Sequence, residues 1–580
     1  MRFNFSSVVG ALCLFLTVAD AAAIQKRSTQ VWIQRWFYRD STLAGLVKVQ
    51  SNLGRSKRVE VWYGSGDSWQ RSPIVAIYSS GPDRNGYEDW IFNGWALQAT
   101  KFYVKYIVNG VQYLDPAPGY YYPITDGKAG SAPVPTSKLE ARAELEAWLS
   151  QEYDFAEAAL KKNIGSSSNT NLGKGVVIAS PSTSQPDYFF QWIRDASCVM
   201  EHIVGNYLES GQDLDYIIDW VEVQKTLQRL DNPSGGYTTG GLGEPKFKVD
   251  NTAYTDSWGR PQRDGPALRA STLMRFATQY LSKDADYVKS KLYDSAAQGQ
   301  SQTIIKADLD YVVTSWSQSS FDLWEEIQGQ HYFTIIVSYR SMVEGAEFAK
   351  LMGDNAAADL YTKTAESMID TIKGFWQPDK GYIVETHGIQ GRSGLDCGVL
   401  LGALRAPYIF TPAGEEVLAT TEAMISAFEP LYGINKNNGG PGFGIGRYPE
   451  DTYDGVSTSS QGNPWFICTA TVAHTLYAAA ADFKSANSVN VTPASLNLFK
   501  RAFPSANPGT YSSGSQEFNN IVNGFKTLGD GFMAVIQRHA FQDGRMSEQF
   551  DRNTGFNMGA RDLTWSYEAV LEAIKARGRL

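Results

Sequence analysis

The chain has 580 residues, of which 43% are hydrophobic and 13% aromatic, and its formal net charge is −9. This apolar content is enough for packed cores and excludes general disorder, and the length exceeds one ordinary core, so we expect two or more domains. The negative charge argues against nucleic acid as a partner and suits a neutral substrate.

Residues 1–27 have the pattern of a secretory signal followed by a short propeptide. Arg2 gives a positive start, residues 8–18 form an apolar run too short to span a bilayer, and Lys26-Arg27 is a dibasic processing site. No later segment is apolar and long enough for a membrane helix. We therefore expect a secreted, extracellular protein with no membrane partner.

Residues 28–124 have the pattern of an all-β, immunoglobulin-like sandwich. Short runs rich in Val, Ile, Tyr and Trp alternate here with Gly, Asp, Asn, Ser and Pro, which is typical of strands joined by turns. Asn109-Gly110 is a two-residue hairpin signal between the last two runs. The seven predicted strands are Val31–Phe37, Leu46–Gln50, Val59–Tyr63, Ile74–Tyr78, Tyr87–Phe92, Phe102–Val108 and Val111–Leu114.

Residues 125–137 contain glycines and two prolines and are predicted to form a short linker. From 138 to 580 the pattern is helical. Ser137 and Glu140 form a capping box before the first apolar helical face, and Pro464 is expected to open another helix. Counting similar segments predicts about a dozen helices, although periodicity alone does not say how they pack.

Cysteine and histidine usage argues against several chemistries. Three cysteines remain after the signal, at positions 198, 397 and 468, and their apolar contexts favour buried free thiols over bridges. The five histidines show no metal-ligand spacing, and no phosphate loop or dinucleotide fingerprint is present, so no metal or cofactor is expected. Asn490-Val491-Thr492 is a glycosylation sequon followed by a disfavouring proline.

Two distant glutamates are the strongest candidates for chemistry. Glycoside hydrolysis needs one carboxyl that keeps its proton and one that loses it. Glu325 follows Trp324, and an aromatic neighbour favours the protonated form, whereas Glu548 lies among polar and charged residues that favour ionisation. The alternative is that both are ordinary surface glutamates, since spacing does not show that they meet.

Two further segments are candidates for binding or covering a sugar. Arg194 and Asp195, in Gln191-Trp192-Ile193-Arg194-Asp195, combine a fork of donors with an acceptor, although a structural ion pair is about as plausible. The polar, turn-rich segment 241–269, with Trp258 near its centre, has the character of a loop that covers a site.

Together these segments resemble the fungal and yeast glucoamylases of glycoside hydrolase family 15, over roughly residues 139–577. The resemblance implies an (α/α)6 barrel that releases β-D-glucose with inversion from the non-reducing ends of starch, amylopectin and maltooligosaccharides, by α-1,4 and more slowly α-1,6 cleavage. It also implies a monomer. The motifs that carry it, in order, are SPSTSQPDYFFQWIRD, the 241–269 segment, FDLWEE, GRSGLD, GRYPEDTY, GNPWF, MSEQ and DLTWSY.

The resemblance implies roles position by position. Glu325 is similar to the family's general acid, Glu548 to its general base, and Tyr188 to the tyrosine beside the attacking water. The carboxyl separation expected for inversion is roughly 6.5–9.5 Å. The positions similar to substrate-binding residues are Arg194, Asp195, Trp192, Trp258, Leu323, Trp324, Glu326, Arg447, Trp465 and Trp565.

The N-terminal sandwich resembles a starch-binding domain of carbohydrate-binding module family 21. The motifs GSGDSW, YEDWIF, KFYVKYIVNG and YLDP carry the likeness. Trp69 and Tyr103 match the stacking residues of one sugar site, and Tyr78 and Tyr87 those of a second. Leu114 and Arg55 stand where better-known members have tyrosines, so neither site is expected at full strength.

Two alternatives to a starch-degrading glucoamylase stay open. One is a catalytically inactive starch-binding protein, against which the intact FDLWEE and MSEQ motifs argue. The other is an inverting hydrolase of the same barrel class that acts on a different α-glucosidic linkage. A substrate panel would separate them.

Overall fold

A computed structural model describes residues 30–580 apart from gaps at 40–41, 66–67, 71, 84–85, 97, 116–121, 125–127, 131–137, 168, 437–439, 542 and 554. The predicted signal and propeptide therefore lie outside the described residues. The chain forms two compact units that divide between Ala141 and Arg142, apart from two short loop segments.

The N-terminal unit contains one antiparallel sheet, with strand order β10-β1-β2-β6-β5-β3-β7-β8 and with β4 and β9 paired to β3 and β7. All seven predicted strands are present and are longer than expected by a few residues. The strands are β1 (Val31–Arg39), β2 (Thr42–Gln50), β3 (Lys57–Ser65), β4 (Ser68–Trp69), β5 (Ile74–Ser80), β6 (Tyr87–Trp95), β7 (Lys101–Val108), β8 (Val111–Asp115), β9 (Tyr122–Pro123) and β10 (Lys128–Gly130).

The sheet curls so that strands from its two ends share one core. Trp36 of β1 packs edge-on against Phe102 of β7, with ring centroids 4.7 Å apart. The backbone N–H of Ile33 donates to Asp115 at the end of β8, at 2.6 Å. Asn109-Gly110 makes the predicted hairpin, because both residues have positive φ, of 49° and 82°, as a type I′ turn requires.

Part of the predicted linker belongs to the sheet. Residues 128–130 pair antiparallel with β1, with Gly130 opposite Trp36. The segments on either side, 125–127 and 131–137, lie outside the described residues. A short polar run with glycine can still complete a sheet edge, since backbone groups rather than side chains make the ladder.

The second unit is helical. The described part of the chain contains twelve α-helices of nine or more residues, in agreement with the predicted dozen. They are α1 (Lys138–Lys162), α2 (Ile193–Ser210), α3 (Leu214–Gln228), α4 (Asp264–Tyr280), α5 (Ile304–Ser315), α6 (Tyr332–Leu351), α7 (Asn355–Gly374), α8 (Cys397–Arg405), α9 (Glu415–Phe428), α10 (Phe466–Ala486), α11 (Gln516–His539) and α12 (Thr564–Gly578).

Every second helix belongs to an inner set. Helix α2 packs against α4, α4 against α6, α6 against α8, α8 against α10, α10 against α12, and α12 returns to α2. Helices α3, α5, α7, α9 and α11 pack outside this closed cycle, each against an inner neighbour. The inner helices are buried on most sides: α10 and α6 are apolar almost all round, as expected for helices surrounded by others.

Short elements fill the connections between the helices. Pro464 does not open α10 as predicted: it lies two residues before Phe466, and Trp465 is the N-cap. The paired short strands are β11 (Gln191–Trp192) with β12 (Lys246–Phe247), Ser320–Phe321 with Gln328–Gly329, Trp376–Gln377 with Tyr382–Ile383, Ser488–Val491 with Gly509–Ser512, and Gln549–Phe550 with Asn557–Met558.

Candidate active site

The predicted site residues collect where the six inner helices begin. Backbone bonds link these starts in sequence: the N–H of Cys397 donates to Arg447 O at 2.8 Å, that of Phe466 to Glu548 O at 3.3 Å, and that of Thr564 to Ala179 O at 2.9 Å. First-turn N–H groups lack partners within their own helix, so neighbouring loops that accept from them become fixed. Six separate stretches of sequence are thereby held at one end of the inner helices.

A tight turn presents Glu325. Asp322 is buried, and its carboxylate accepts from the backbone N–H groups of Glu326 and Ile327 at 2.7 and 2.9 Å. Glu325 itself has φ of +68°, a left-handed conformation that is strained for a residue with a side chain. Strain of this kind is common at functional sites, because the surrounding contacts must hold the residue in place.

Three donors converge on one oxygen of Glu325. Trp192 Nε1–H donates to Oε1 at 2.7 Å and Gln262 Nε2–H at 3.0 Å, while Arg194 Nη2 lies 3.5 Å away. The other oxygen, Oε2, has no hydrogen bond among the described residues. With 17% of the side chain exposed, this carboxyl is oriented on one side and open on the other.

The aromatic neighbour of Glu325 is not the one that the sequence suggested. The indole N–H of Trp324 points to Asp396, at 2.9 and 3.1 Å from its two carboxylate oxygens, and the ring packs on Trp465. The indole that contacts the Glu325 carboxyl is Trp192, as a hydrogen-bond donor. Adjacent residues in a tight turn point in different directions, so sequence adjacency misidentified the contact.

Glu548 is buried, contrary to the expectation of a polar, ionising environment. Its side chain is about 1% exposed, and burial raises its pKa to about 8, against the opposing effects of Arg447 and of hydrogen bonds from Tyr188 and Gln549. The polar residues beside Glu548 in the sequence do not keep it in contact with water. The backbone of Glu548 bonds to Ala560 and Phe466, and these bonds hold the residue in the interior.

Tyr188 lies near both glutamates. It donates to Glu548, its ring centroid is 5.4 Å from that of Trp192, and its hydroxyl is 3.1 Å from that of Tyr453. Burial raises the pKa of Tyr188 well above its ordinary value, and the nearby charges of both Glu548 and Glu325 raise it further. The fold therefore brings two carboxyls that are distant in sequence close to one phenol.

Arg447 is the centre of a buried ion network. Its Nε and Nη2 donate to Asp451 at 2.8 and 2.7 Å, and Nη2 also reaches Glu326 Oε1 at 2.8 Å. Arg392 bonds the other oxygen of Glu326 at 2.6 Å. Arg447 is almost fully buried, and these paired charges compensate its charge and keep it in one orientation.

Arg194 is buried beside Glu325, and the side chain of Asp195 is 14% exposed. Arg194 Nη1 bonds Asp264 at 2.9 Å and Gln262 at 2.8 Å, so its main partner is not Asp195, whose carboxylate is 3.9 Å from Nε. Burial raises the pKa of Asp195 to about 7, which Arg194 opposes. The pair is thus part of the candidate site as well as of the helix start.

The remaining predicted residues form walls. Leu323, Trp465 and Trp565 are buried, and Trp258 packs edge-on against Trp192 with centroids 5.9 Å apart. The buried indole N–H groups of Trp258, Trp465 and Trp565 have no acceptor among the described residues. Buried donors are normally satisfied, so these three call for an acceptor from outside the protein.

Several contact residues were not singled out from the sequence. Gln262 and Asp264 lie inside the flagged 241–269 segment, and Asp451 and Tyr453 inside the GRYPEDTY motif, but only their positions in three dimensions give them a part. Asp396, whose pKa burial raises to about 8, lies in GRSGLD. Membership of a motif is the only sequence signal for each of these five residues.

A separate cavity of about 460 Å³ lies farther along the inner helices and contains neither glutamate. Its wall is an ion-pair ladder in which Arg340 bonds Glu201, Glu201 bonds Arg405, and Arg405 bonds Glu568, at 2.6–2.9 Å. The candidate site is therefore assigned from the convergence of functional groups rather than from cavity size.

The predicted sugar-contact residues of the N-terminal unit are only partly described. Tyr78 is 53% exposed and donates to Gly81 O at 2.8 Å, whereas Tyr87 is half-buried edge-on against Trp32. Tyr103 is half-buried on β7, and burial raises its pKa. The side chain of Trp69 lies outside the described residues.

Other expectations concern cysteines, metals and membranes. Cys198, Cys397 and Cys468 are free and buried, as predicted. Among the described residues there is no group of His, Cys, Asp or Glu arranged to hold a metal ion. No helix in the described part of the chain is both long and apolar enough to cross a bilayer.

Comparisons with known proteins cover most of the chain. Glucoamylase 1 from Rhizopus oryzae is 35% identical over 98% of this chain and 96% of its own, and Glucoamylase-1 from Schizophyllum commune is 39% identical over 76% of each. The solved glucoamylase of Saccharomycopsis fibuligera has a TM-score of 0.70 at 35% identity, over 75% of this chain and 95% of that one. That of Hypocrea jecorina has a TM-score of 0.69 at 34% identity, over 75% and 72%.

A family model described as glycosyl hydrolases family 15 matches residues 155–575, a range that contains all six helix starts and both glutamates. Sequence similarity, structural similarity and the arrangement of carboxyls agree over the same part of the molecule. The chain belongs to glycosyl hydrolase family 15.

Proposed function

We propose that this protein is a secreted, monomeric glucoamylase that removes β-D-glucose, with inversion, from the non-reducing ends of starch, amylopectin and maltooligosaccharides. It cleaves α-1,4 bonds and, more slowly, α-1,6 bonds. One observation carries the proposal: Glu325 and Glu548 are both near Tyr188 in a family 15 chain whose relatives are named glucoamylases.

Glu325 is the general acid. Trp192, Gln262 and Arg194 all lie at Oε1, so the proton that Glu325 gives to the leaving glycosidic oxygen passes from the open oxygen, Oε2. The fixed Oε1 keeps the carboxyl from rotating away from the bond. The positive φ of Glu325 serves the same purpose, since it aims the side chain out of the turn.

Glu548 is the general base. It takes a proton from a water that attacks the anomeric carbon from the face opposite to Glu325, and this in-line attack inverts the configuration. Glu548 acts as a base once it has lost its own proton, and burial, which raises its pKa to about 8, makes that carboxylate a stronger base. Tyr188, which bonds Glu548, positions the water, and the expected carboxyl separation of roughly 6.5–9.5 Å leaves room for it.

The remaining polar groups hold the terminal sugar. Arg194 and Asp195 bind hydroxyls of the first glucose, and Arg447 with Glu326 binds at the same end. The unpartnered indole N–H groups of the pocket support a hydroxyl-rich ligand. The aromatic and apolar walls of the first two sugar positions are Trp192, Trp258, Leu323, Trp324, Trp465 and Trp565.

The catalytic domain, residues 138–580, is an (α/α)6 barrel, which is supported by the closed cycle of six inner helices and the five outer helices packed against it. Residues 28–124 are a starch-binding sandwich, with 125–137 as connection. Its support is the full-length similarity to the Rhizopus oryzae protein and the exposed ring of Tyr78. Residues 1–27 are the secretion signal and propeptide.

The test compares two neighbouring glutamates. Glu325→Gln keeps shape and loses the proton, so we expect less than about one hundredth of the wild-type kcat on maltotriose, because general acids contribute ~10²–10⁴-fold. Glu326→Gln is the matched variant: it weakens the bonds from Arg447 and Arg392, so its larger effect falls on KM. If Glu325→Gln retains the wild-type kcat, or if NMR shows that the wild type releases the α-anomer, the assignment of Glu325 as general acid of an inverting enzyme is wrong.

The same assays decide between the alternatives. No glucose release from soluble starch by the folded wild type indicates an inactive starch-binding protein. Faster turnover of another α-glucosidic disaccharide than of maltose indicates a different linkage specificity.

Tyr78 gives a separate test of the N-terminal unit. Tyr78→Ala removes an exposed ring with a single hydrogen bond, so we expect weaker retention on starch granules and unchanged kcat on maltotriose. Unchanged retention in a binding assay on raw starch contradicts a stacking role for Tyr78.

A further inference from the structure

A buried lysine sits in a cage of aromatic rings next to the proposed acid. Lys246, on β12, is 2% exposed. Its ammonium lies 3.6 Å from the ring centroid of Trp258 and 4.5 Å from that of Trp192. Phe190 and Tyr254 complete the cage at 4.2 and 4.3 Å. All four distances are well within the ~6 Å at which a cation is attracted to a ring face.

The rings are the main partners of this charge. The ammonium has no hydrogen-bond acceptor among the described residues, and burial lowers the pKa of Lys246 to about 8. The charged groups that face it are Glu325, Asp187 and Asp256, which favour its ionised form, and Arg260, which disfavours it. An apolar side chain of the same length would fill this space without the cost of desolvating a cation.

The four rings belong to two chain segments that are already joined by the pairing of β11 with β12. Phe190 and Trp192 lie at β11, while Tyr254 and Trp258 come from the 241–269 segment, and each ring meets others edge-on with centroids 5.2–6.2 Å apart. Lys246 lies in that second segment, on β12, and its ammonium contacts the rings of both. A single cation between the ring faces therefore adds to the backbone pairing by fixing the orientation of the rings.

Each segment contains a side chain that donates a hydrogen bond to Glu325. Trp192 donates to its carboxyl at 2.7 Å, and Gln262 does so from the second segment at 3.0 Å. The second segment also approaches the backbone of Glu325, because a side chain at Gly259 would come within 2.6 Å of the Glu325 carbonyl oxygen. Movement of either segment would thus change the direction of the acid.

We propose that Lys246 is a positioning residue for the hydrolytic reaction, whose ammonium clamps Trp192 and Trp258 in the orientation that holds Glu325 and walls the sugar pocket. The proposal rests on the proposed function, since it needs Glu325 to be the acid. Lys246 acts through the rings and need not touch the substrate.

The experiment replaces Lys246 by methionine in the full chain and measures maltotriose hydrolysis. Lys246→Met keeps the length and removes the charge, so we expect kcat to fall ~10-fold or more, part of the ~10²–10⁴-fold that a general acid supplies, with a smaller change in KM. Lys248→Met is the matched control, because Lys248 lies two residues along, is exposed and has no ring cage. It should behave as wild type.

A spectroscopic titration separates positioning from mere packing. Glu548 and Asp396 also have pKa values of about 8, so indole fluorescence should change near pH 8 in every variant. The change should be smaller in Lys246→Met than in the wild type and in Lys248→Met, because no caged ammonium then loses a proton beside Trp192 and Trp258. A double-mutant cycle with Trp192→Phe should be non-additive, because both changes release the same carboxyl.

The outcomes are distinguishable. An inactive Glu325→Gln together with a folded Lys246→Met of wild-type kcat overturns this proposal alone. Multiplicative effects in the double mutant, or a fluorescence change in Lys246→Met as large as that in Lys248→Met, also overturn it. An active Glu325→Gln overturns the proposed function instead.

Discussion

Replacing Glu548 by glutamine tests whether burial of the proposed base lowers the stability of the folded chain. The folded chain buries this carboxyl and raises its pKa from an ordinary 4.5 to about 8. Between those two pH values the unfolded chain has lost the proton and the folded chain still holds it. Stability linked to Glu548 is therefore fully present below about pH 4.5 and is lost as the pH rises through 8.

The size of the effect follows from the interval between the two pKa values. At ~1.36 kcal/mol per pH unit, a rise from 4.5 to about 8 corresponds to a loss of about 5 kcal/mol. This is an upper bound, because water entering the pocket stabilises the carboxylate. Glu548→Gln cannot ionise, so it should be more stable than wild type at pH 9, by up to this amount, while the two should differ little at pH 4.

The assay is urea unfolding followed by tryptophan fluorescence at pH 4 and pH 9, together with kcat on maltotriose. Glu152→Gln is the control: Glu152 is also buried, next to Gly544, has no assigned part in the reaction, and burial raises its pKa to about 9. Both variants should gain stability at high pH, but only Glu548→Gln should lose activity, by ~10²–10⁴-fold. A stability difference between Glu548→Gln and wild type that is equal at both pH values would refute the reasoning.

Two further predictions concern neighbouring contacts. Tyr188→Phe removes a hydrogen bond that lowers the pKa of Glu548, so the ascending limb of the pH profile of kcat/KM should move to higher pH, and an unmoved limb would argue against Glu548 as base. Asp308→Asn breaks a fully buried ion pair with Arg269, at 2.7 Å, and should cost about 3–5 kcal/mol in urea unfolding with kcat unchanged. A cost below 1 kcal/mol would mean that the pair is not structurally important.

Periodicity predicted the elements of the fold but not their arrangement. The strand runs and the number of helices follow from local patterns of apolar and turn-forming residues, and they agree with the structure. Residues 128–130 were missed as a strand because edge pairing needs only a free neighbouring backbone. The closed cycle of inner helices depends on contacts between residues far apart in sequence, which no local pattern contains.

The candidate site was predictable as a set of residues but not as a set of contacts. The motifs named Glu325, Glu548, Tyr188 and Arg447, and the structure brings them to one end of the inner helices. The surroundings were misjudged, since Trp324 turns to Asp396 and Glu548 is buried. Polarity in the sequence reports what flanks a residue along the chain, whereas its protonation depends on what surrounds it in space.

The return of α12 to α2 has a consequence for the order in which the molecule can be made. Helix α2 begins at Ile193 and meets α12, which ends at Gly578, so the cycle is complete only when almost the whole chain has emerged from the ribosome. Until then the side of α2 that meets α12 is uncovered. Nascent chains of this protein depend on long-range closure as a final step, and they are exposed to aggregation for most of their synthesis.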